Sequence, residues 1–594
     1  MFVRVKKIGA YEYLYLVENV REGGRHVQRV IKSLGRRDEV QNSDLLDNLI
    51  ASAARHSRRS IVLSSFYRGE LAPIRRQSIG PDLVLGRLWT ETGCRDVLCQ
   101  HLGSRRFGFD AERAIYLTVL HRLMLSGSDR HASTWRQGLH IPGTENLTLE
   151  HAYKAMAWLG EDLAEPDTDP RPRTEIIEED LYRHRKSLFG RLSVAFFDTT
   201  SLYFEGKGGE TLGQRGHSKD YRPQLNQVVL GIVLDEKDRP IASFLWPGNT
   251  ADVTTLAPVV ERLRTRFGVE RACVVADRGM ISAATITDLE KRGIDYILGA
   301  RERSSTEIRH VVLANDGASV PLTIPRQKGE TDLAIKEIKV DGRRYIVCRN
   351  PEVARKDAEA RTALLAGLEQ KLKQGDKALV GNTGYRRFLS APEGEGFTID
   401  RDKVEADARF DGLFVLRTSL TLSALLVVLR YRNLLAVEDS FRTSKSLLAT
   451  RPVFHRTDAA IRGHIGCTFL ALVLRQELLD RLAARGGKPP EWRCMVDDLL
   501  DLSSVEVEQD GRRALLRTAP GPTIDPICRA LGITLPPVFQ ECRWPRQVVP
   551  TTEPVVPKKV SDLIWLYILD QSAEVGSEVP RRCCMVLVPL AGSM

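Results

Sequence analysis

Apolar and charged residues alternate with a period of two in Phe2-Val3-Arg4-Val5, in Tyr11 to Val17 and in Val27 to Ile31, and Arg21-Glu22-Gly23-Gly24-Arg25 supplies a turn. That is strand patterning, so residues 1–45 predict a small β unit. Over residues 80–188 the period lengthens. Ala111 to Leu125 and Glu150 to Leu163 carry apolar side chains three and four apart, which predicts a helical region closed by the polar, proline-containing stretch Glu165 to Arg173. Strand patterns then fall at 192–197, 226–234, 240–246, 272–276 and Tyr296 to Gly299, with helical patterns at about 252–266 and 282–291.

Three closely joined strands followed by strands alternating with helices is the order of an RNase H-like mixed sheet, here over residues 190–300. In that topology the first and fourth strands are neighbours. Residues 301–420 interrupt it with short alternating stretches and a polar helix near Asp357 to Lys373, which predicts a mainly β insertion. Helical patterning resumes over 421–484: Val427, Leu434, Val437, Phe441 and Leu448 make one apolar stripe, and Ala459 to Ala484 has an apolar middle. At about 100° per residue, Tyr431, Glu438 and Lys445 fall on one line at the edge of that stripe. Residues 485–594 read as helical and then poorly ordered. The fold class predicted is therefore α/β, with an N-terminal β unit and a helical domain ahead of an interrupted sheet.

Composition changes this picture little. The 594 residues carry 87 Lys and Arg against 77 Asp and Glu, a net charge of +10 that favours a polyanionic partner. Ten cysteines lie scattered without zinc-finger spacing, which suits a reducing compartment. The first residues lack a signal-peptide core and the longest apolar runs, such as Ile465 to Leu474, are too short to span a bilayer. A soluble cytoplasmic protein without a membrane partner is expected.

The candidate chemistry lies in three carboxylates. Asp198 ends the apolar run Val194 to Phe197, Asp277 ends Ala272 to Ala276, and Glu438 sits in the later helix. Alone, each has a plain reading: a turn or cap residue after a strand, and a solvated helix residue beside Arg442. Together, two strand ends and one helix can gather three carboxylates around divalent metal, whose charge offsets their desolvation and mutual repulsion. Two Mg²⁺ ions about 3.5 to 4 Å apart would serve phosphodiester hydrolysis and transesterification, with Mn²⁺ able to substitute. Lys445 and Arg442, beyond Glu438 on the same helix, are candidates for DNA phosphate contact.

The segments Phe196 to Glu205, Arg215 to Gln224, Pro247 to Asp252, Val275 to Met280, and Tyr431 through Glu438 and Lys445 to Val453 resemble bacterial insertion-sequence transposases of the DDE type. More narrowly they resemble the IS-four-like group, whose RNase H-like domain carries a β insertion before the last catalytic helix. The resemblance implies cut-and-paste transposition: metal-dependent cleavage at terminal inverted repeats and strand transfer into target DNA, by a homodimer that pairs two transposon ends. It puts Asp198, Asp277 and Glu438 in the catalytic and metal-binding triad, with Tyr431 and Lys445 around the glutamate as DNA-binding residues. Where the motif often has an arginine three residues after the tyrosine, this chain has Leu434. Arg215, Lys219 and Arg222, close after the first catalytic strand, are further DNA-binding candidates, as are the N-terminal basic unit and the helical domain. His455 and His464 are read as structural or DNA-near. The alternative reading is a catalytically inactive, transposase-derived DNA-binding protein or repressor.

Overall fold

The computed structural model describes residues 1–541 except 23–24, 104, 165–169, 186–193, 270–272, 278–281, 301–305, 307, 310–318, 326–329, 374–386, 391–396 and 510–511. The chain divides into two compact units, Met1–Gln540 and Glu541–Met594. Everything below concerns the first. The proline-rich tail from 542 onward lies outside the described residues.

A mixed sheet organises the unit. Its order is Val320–Pro325, Glu330–Val340, Arg343–Arg349, Leu413–Thr418, Tyr296–Gly299, Cys273–Ala276, Val194–Tyr203, Gln227–Leu234, Pro240–Pro247. Cys273–Ala276 runs parallel to both of its neighbours, and every other pairing is antiparallel. The last five strands of that order follow the sequence pattern of an RNase H-like fold, with the first strand between the second and the fourth. The first strand is longer than its apolar run predicts. It continues through Asp198 to Tyr203 because Thr199, Thr200 and Ser201 remain good pleat formers paired to Gly231, Leu230 and Val229.

The interruption does not stand apart as a separate barrel or sandwich. Leu413–Thr418 pairs antiparallel with Tyr296–Gly299, and the three earlier insertion strands extend the sheet beyond it. Covering that edge leaves no long unpaired ladder there to recruit another chain. The insertion also holds a helix, Pro351–Leu372, which begins where Asn350 accepts from the Glu352 and Val353 amides and Pro351 fills the first turn.

The helical region includes Cys94–Leu102, Ala111–Met124, Leu149–Leu159 and Arg173–His184. It is threaded by the 26-residue helix Asp458–Ala483, which packs on Leu149–Leu159 and Ala111–Met124. Small residues permit that crossing: a β-carbon on Gly463 would stand 1.9 Å from the Met156 carbonyl oxygen, and one on Gly160 equally close to that of Ala459. One continuous apolar core therefore joins helices and sheet.

Beyond 485 the structure departs from the expected helical, then poorly ordered, region. Helix Trp492–Asp501 leads into strands Ser503–Gln509 and Arg512–Arg517, and Ser503–Gln509 pairs with Pro73–Ser78 near the other end of the unit. The alternation of Val505 and Val507 with Glu506 and Glu508 carries that strand. Its partner Pro73 to Ser78 is polar and gives no strand signal by itself. At the N-terminus, Phe2–Ile8, Tyr11–Glu22 and Arg25–Arg36 form a three-stranded antiparallel sheet, followed by short helices up to Tyr67. Among the described residues no helix is long and apolar enough to cross a membrane.

Candidate active site

Strand register brings the first two carboxylates together. Phe197 pairs with Ala276 in parallel, so Asp198 and Asp277 are the next residues on adjacent strands. Side chains alternate across a sheet, and the parity is set by the cores: Ala195, Phe197, Val274 and Ala276 pack on one face, Val194, Phe196, Cys273 and Val275 on the other. Asp198 and Asp277 share the parity of Phe196 and Val275. Val427, Leu434, Val437, Phe441 and Leu448 bury against that same face, as their stripe predicts, and bring Glu438 to it.

The helix bearing Glu438 differs from the single one predicted. Ala424–Arg432 ends at Asn433, where three-residue hydrogen bonds tighten the turn: Leu434 N to Tyr431 O, Ala436 N to Asn433 O and Val437 N to Leu434 O, each 3.0 Å. A second helix, Leu435–Arg442, follows, and Thr443–Leu447 widens into a π-turn. The single ideal helix expected to align Tyr431, Glu438 and Lys445 is therefore broken between the first two and widened at the third. Tyr431 Oη donates to Asp277 Oδ1 at 3.0 Å, and Glu438 stands in the first turn of the second helix, within electrostatic range of Asp277. Lys445 turns instead to Asp220, its Nζ 2.8 Å from Oδ1, and Arg451 pairs with the same oxygen.

Electrostatics make the cluster uncomfortable without a cation. Desolvation pushes the Asp198 carboxyl up to about 6; the Lys219 ammonium and the Thr199 amide, 2.7 Å from Oδ1, oppose this, while Asp277 and Glu438 reinforce it. Glu438 is also raised, first by desolvation and then by Asp277. Lys445 is lowered, chiefly by burial. A set of carboxylate oxygens short of positive charge fits a hard divalent ion, and Asp198, Asp277 and Glu438 are the residues that would hold it. Among the described residues no three His, Cys, Asp or Glu side chains form a ready-made ion cage.

The remaining predicted residues divide by exposure. Arg215 and Arg222 are exposed, the latter with its guanidinium 4.9 Å from the Tyr203 ring centre. Arg442 is exposed and pairs with Asp439 at 2.9 Å, leaving Glu438 without an ion pair among the described residues. Lys219 faces inward, where Nζ donates to Thr199 O and Oγ1, both at 2.8 Å, and lies 3.3 Å from Asp252. His464 is structural: it is bonded to Arg122 and to the Thr450 carbonyl in the interior. The turn beyond Asp277, Arg278 to Met280, lies outside the described residues.

Sequence reasoning assigned no role to Asp220, Asp252 or Arg451. Asp252 accepts from Thr199 Oγ1 at 2.8 Å and completes a polar link between Lys219 and the strand of Asp198. Its position at the end of Pro247 to Asp252 was a signal, read there only as a helix start.

Two family models match the chain. One described as "Transposase DDE domain" covers residues 190–474, and one described as "IS1634 family transposase, N-terminal domain" covers residues 3–65, together more than half of the sequence. The chain belongs to the DDE transposases of bacterial insertion sequences, and its activity is that of a DNA transposase. A solved "piggyBac transposase synaptic complex with hairpin DNA" is similar at 11% identity over 71% of this chain and 78% of that one, with a TM-score of 0.32, a likeness too distant to bear on the geometry. No curated protein matches.

Proposed function

We propose that this transposase cleaves DNA at the terminal inverted repeats of its element and transfers the freed strands to target DNA, with Asp198, Asp277 and Glu438 as the catalytic, cation-holding residues. The observation that supports this reading is the parallel register of Phe197 with Ala276, which makes Asp198 and Asp277 neighbours on the face where the Glu438 helix packs. Two divalent ions, Mg²⁺ or Mn²⁺, would supply an activated oxygen nucleophile and charge relief at the phosphate and leaving oxygen.

The chain's own groups prepare that chemistry. Tyr431 fixes the Asp277 carboxylate through its hydroxyl. Lys219 favours the ionised form of Asp198 and is itself steadied by Thr199 and Asp252. Arg215, Arg222 and Arg442 offer exposed guanidinium groups to DNA phosphates. Lys219 and Lys445 act closer in: each is already held by a carboxylate partner, and phosphate would compete with that partner for the cation. A homodimer would hold the two transposon ends, which gives the domains around the sheet a use in pairing.

The test is cleavage of labelled inverted-repeat DNA with Mg²⁺. Asp198→Asn should lower the cleavage rate by more than about a hundredfold, the upper end of the loss seen when an outer-sphere partner of a metal is removed. It should leave binding of uncut DNA in place. Equal cleavage by wild type and Asp198→Asn would remove the carboxylate cluster from the chemistry.

A further inference from the structure

Tyr221 is 95% exposed and has a φ of +58°, a left-handed backbone that bulky residues seldom adopt. A ring this free of cover on a loose loop could fold back onto apolar surface. This loop is not loose, because the residues on both sides of Tyr221 are fastened. The Lys219 amide donates to Ser201 Oγ and its ammonium to Thr199. The Asp220 side chain, only 5% exposed, is clasped by Lys445 and Arg451. The Arg222 amide donates to Ser218 Oγ at 3.0 Å, while its guanidinium lies over Tyr203. Thr199 and Ser201 belong to the strand of Asp198, and Lys445 to the π-turn that continues the Glu438 helix. Tyr221 is thus presented on a pedestal bolted to the strand of Asp198 and to the turn that continues the Glu438 helix, two of the three elements that carry the carboxylates.

The same segment carries the exposed Arg222, next in sequence, and the exposed Arg215, six residues earlier. Cations beside a projecting aromatic ring are the paired features that a nucleic-acid strand meets, phosphates to the guanidinium groups and a base face to the ring. We propose that Tyr221 is a DNA-contacting residue whose ring stacks on a nucleobase of the DNA brought to Asp198, Asp277 and Glu438. The inference rests on the functional reading above and adds a base contact to it. Stacking requires a base whose face is accessible, so the partner is a base at a strand end or unpaired beside the cut site.

The experiment uses the full chain and inverted-repeat duplexes carrying 2-aminopurine at successive positions around the cleaved bond, with binding and quenching read in buffer without divalent ions and cleavage read separately with Mg²⁺. Wild type should quench the probe at one position; Tyr221→Ala and Tyr221→Gly should abolish that quenching and weaken binding about five- to a hundredfold. Tyr221→Trp should restore both. Glycine accepts the left-handed backbone, so a folding defect would not explain losses shared by both small variants. Wild-type cleavage and quenching reproduced unchanged by both small variants would overturn the inference and leave the functional reading standing. So would a defect confined to self-association in the absence of DNA. A wild-type chain that neither binds nor cuts the DNA would overturn both.

Discussion

Two groups of buried charge flank the same sheet and are built on opposite principles. At its edge strand, the Arg262 guanidinium meets Glu178 at 2.9 Å and Glu179 at 3.2 Å, and donates to the carbonyls of Ser243 and Glu175, both at 2.9 Å. Glu178 in turn accepts from the Ser243 amide at 3.0 Å, so the free edge is covered, and although burial pushes the Glu178 carboxyl up to about 7, Arg262 and Ser243 oppose the rise as bonded partners. Around Asp198 the balance is left open. Three carboxylates lie within electrostatic range of one another, and the Lys219 ammonium and Thr199 amide at Asp198, the Tyr431 hydroxyl at Asp277 and the exposed Arg442 guanidinium near Glu438 offset them only in part. A closed network serves the fold. An open one stores a demand for cations, which marks the place where something else must bind.

The largest effect should come from breaking the closed network. Arg262→Met would take the guanidinium from the almost wholly buried Glu178 and leave Glu179 to Arg171, 2.7 Å away, and should cost about 3–5 kcal/mol of stability in urea unfolding. A loss under about 1 kcal/mol would mean that the edge network is not what it looks like. Asp198→Asn should act in the other direction. The Asp198 carboxyl stands at about 6 in the fold against a reference of 3.8, so the folded state binds the proton more tightly than the unfolded chain does. Without divalent ions, wild type therefore loses stability as pH rises from about 4 to 6, by up to about 2–3 kcal/mol. Asparagine carries no such penalty. The variant should be the more stable protein at pH 7, with the gap closing near pH 4, and added Mg²⁺ should stabilise wild type alone. A variant less stable than wild type at neutral pH would break the contrast between the two regions.

How much of this could be read in the sequence depended on whether the signal was local. The parallel neighbours Val194–Tyr203 and Cys273–Ala276 announced themselves as apolar runs, and their order implied adjacency, so Asp198 and Asp277 could be paired in advance. The stripe from Val427 to Leu448 was legible because burial of one helical face imposes its own spacing. The break at Asn433 was not, since neither glycine nor proline marks it and only hydrogen-bond geometry reveals the tightened turn. The pairing of Lys445 with Asp220 was equally hidden, because the π-turn that holds Lys445 and the loop that holds Asp220 leave no mark on the apolar spacing. The pairing of Pro73–Ser78 with Ser503–Gln509 was invisible because the first of these strands has no apolar rhythm and its partner is more than four hundred residues away.

The smallest effect separates the two cations of that helix. Arg442 is exposed and its bond to Asp439 is an i,i+3 surface pair, so Arg442→Ala should change stability by no more than about 0.5 kcal/mol. Its proposed work is on DNA, where each phosphate contact releases counterions. Loss of one contact should reduce the slope of log affinity against log salt by about one, uniformly across DNA sequences. Lys445→Met alters a pair whose side chains are 12% and 5% exposed, so it should disturb the fold as well as binding. Measuring both variants over a range of salt concentrations sharpens the distinction between open and closed charge on a single helix. A slope unchanged in Arg442→Ala would take the outer face of Leu435–Arg442 away from the DNA and leave the proposed phosphate contacts to Arg215 and Arg222.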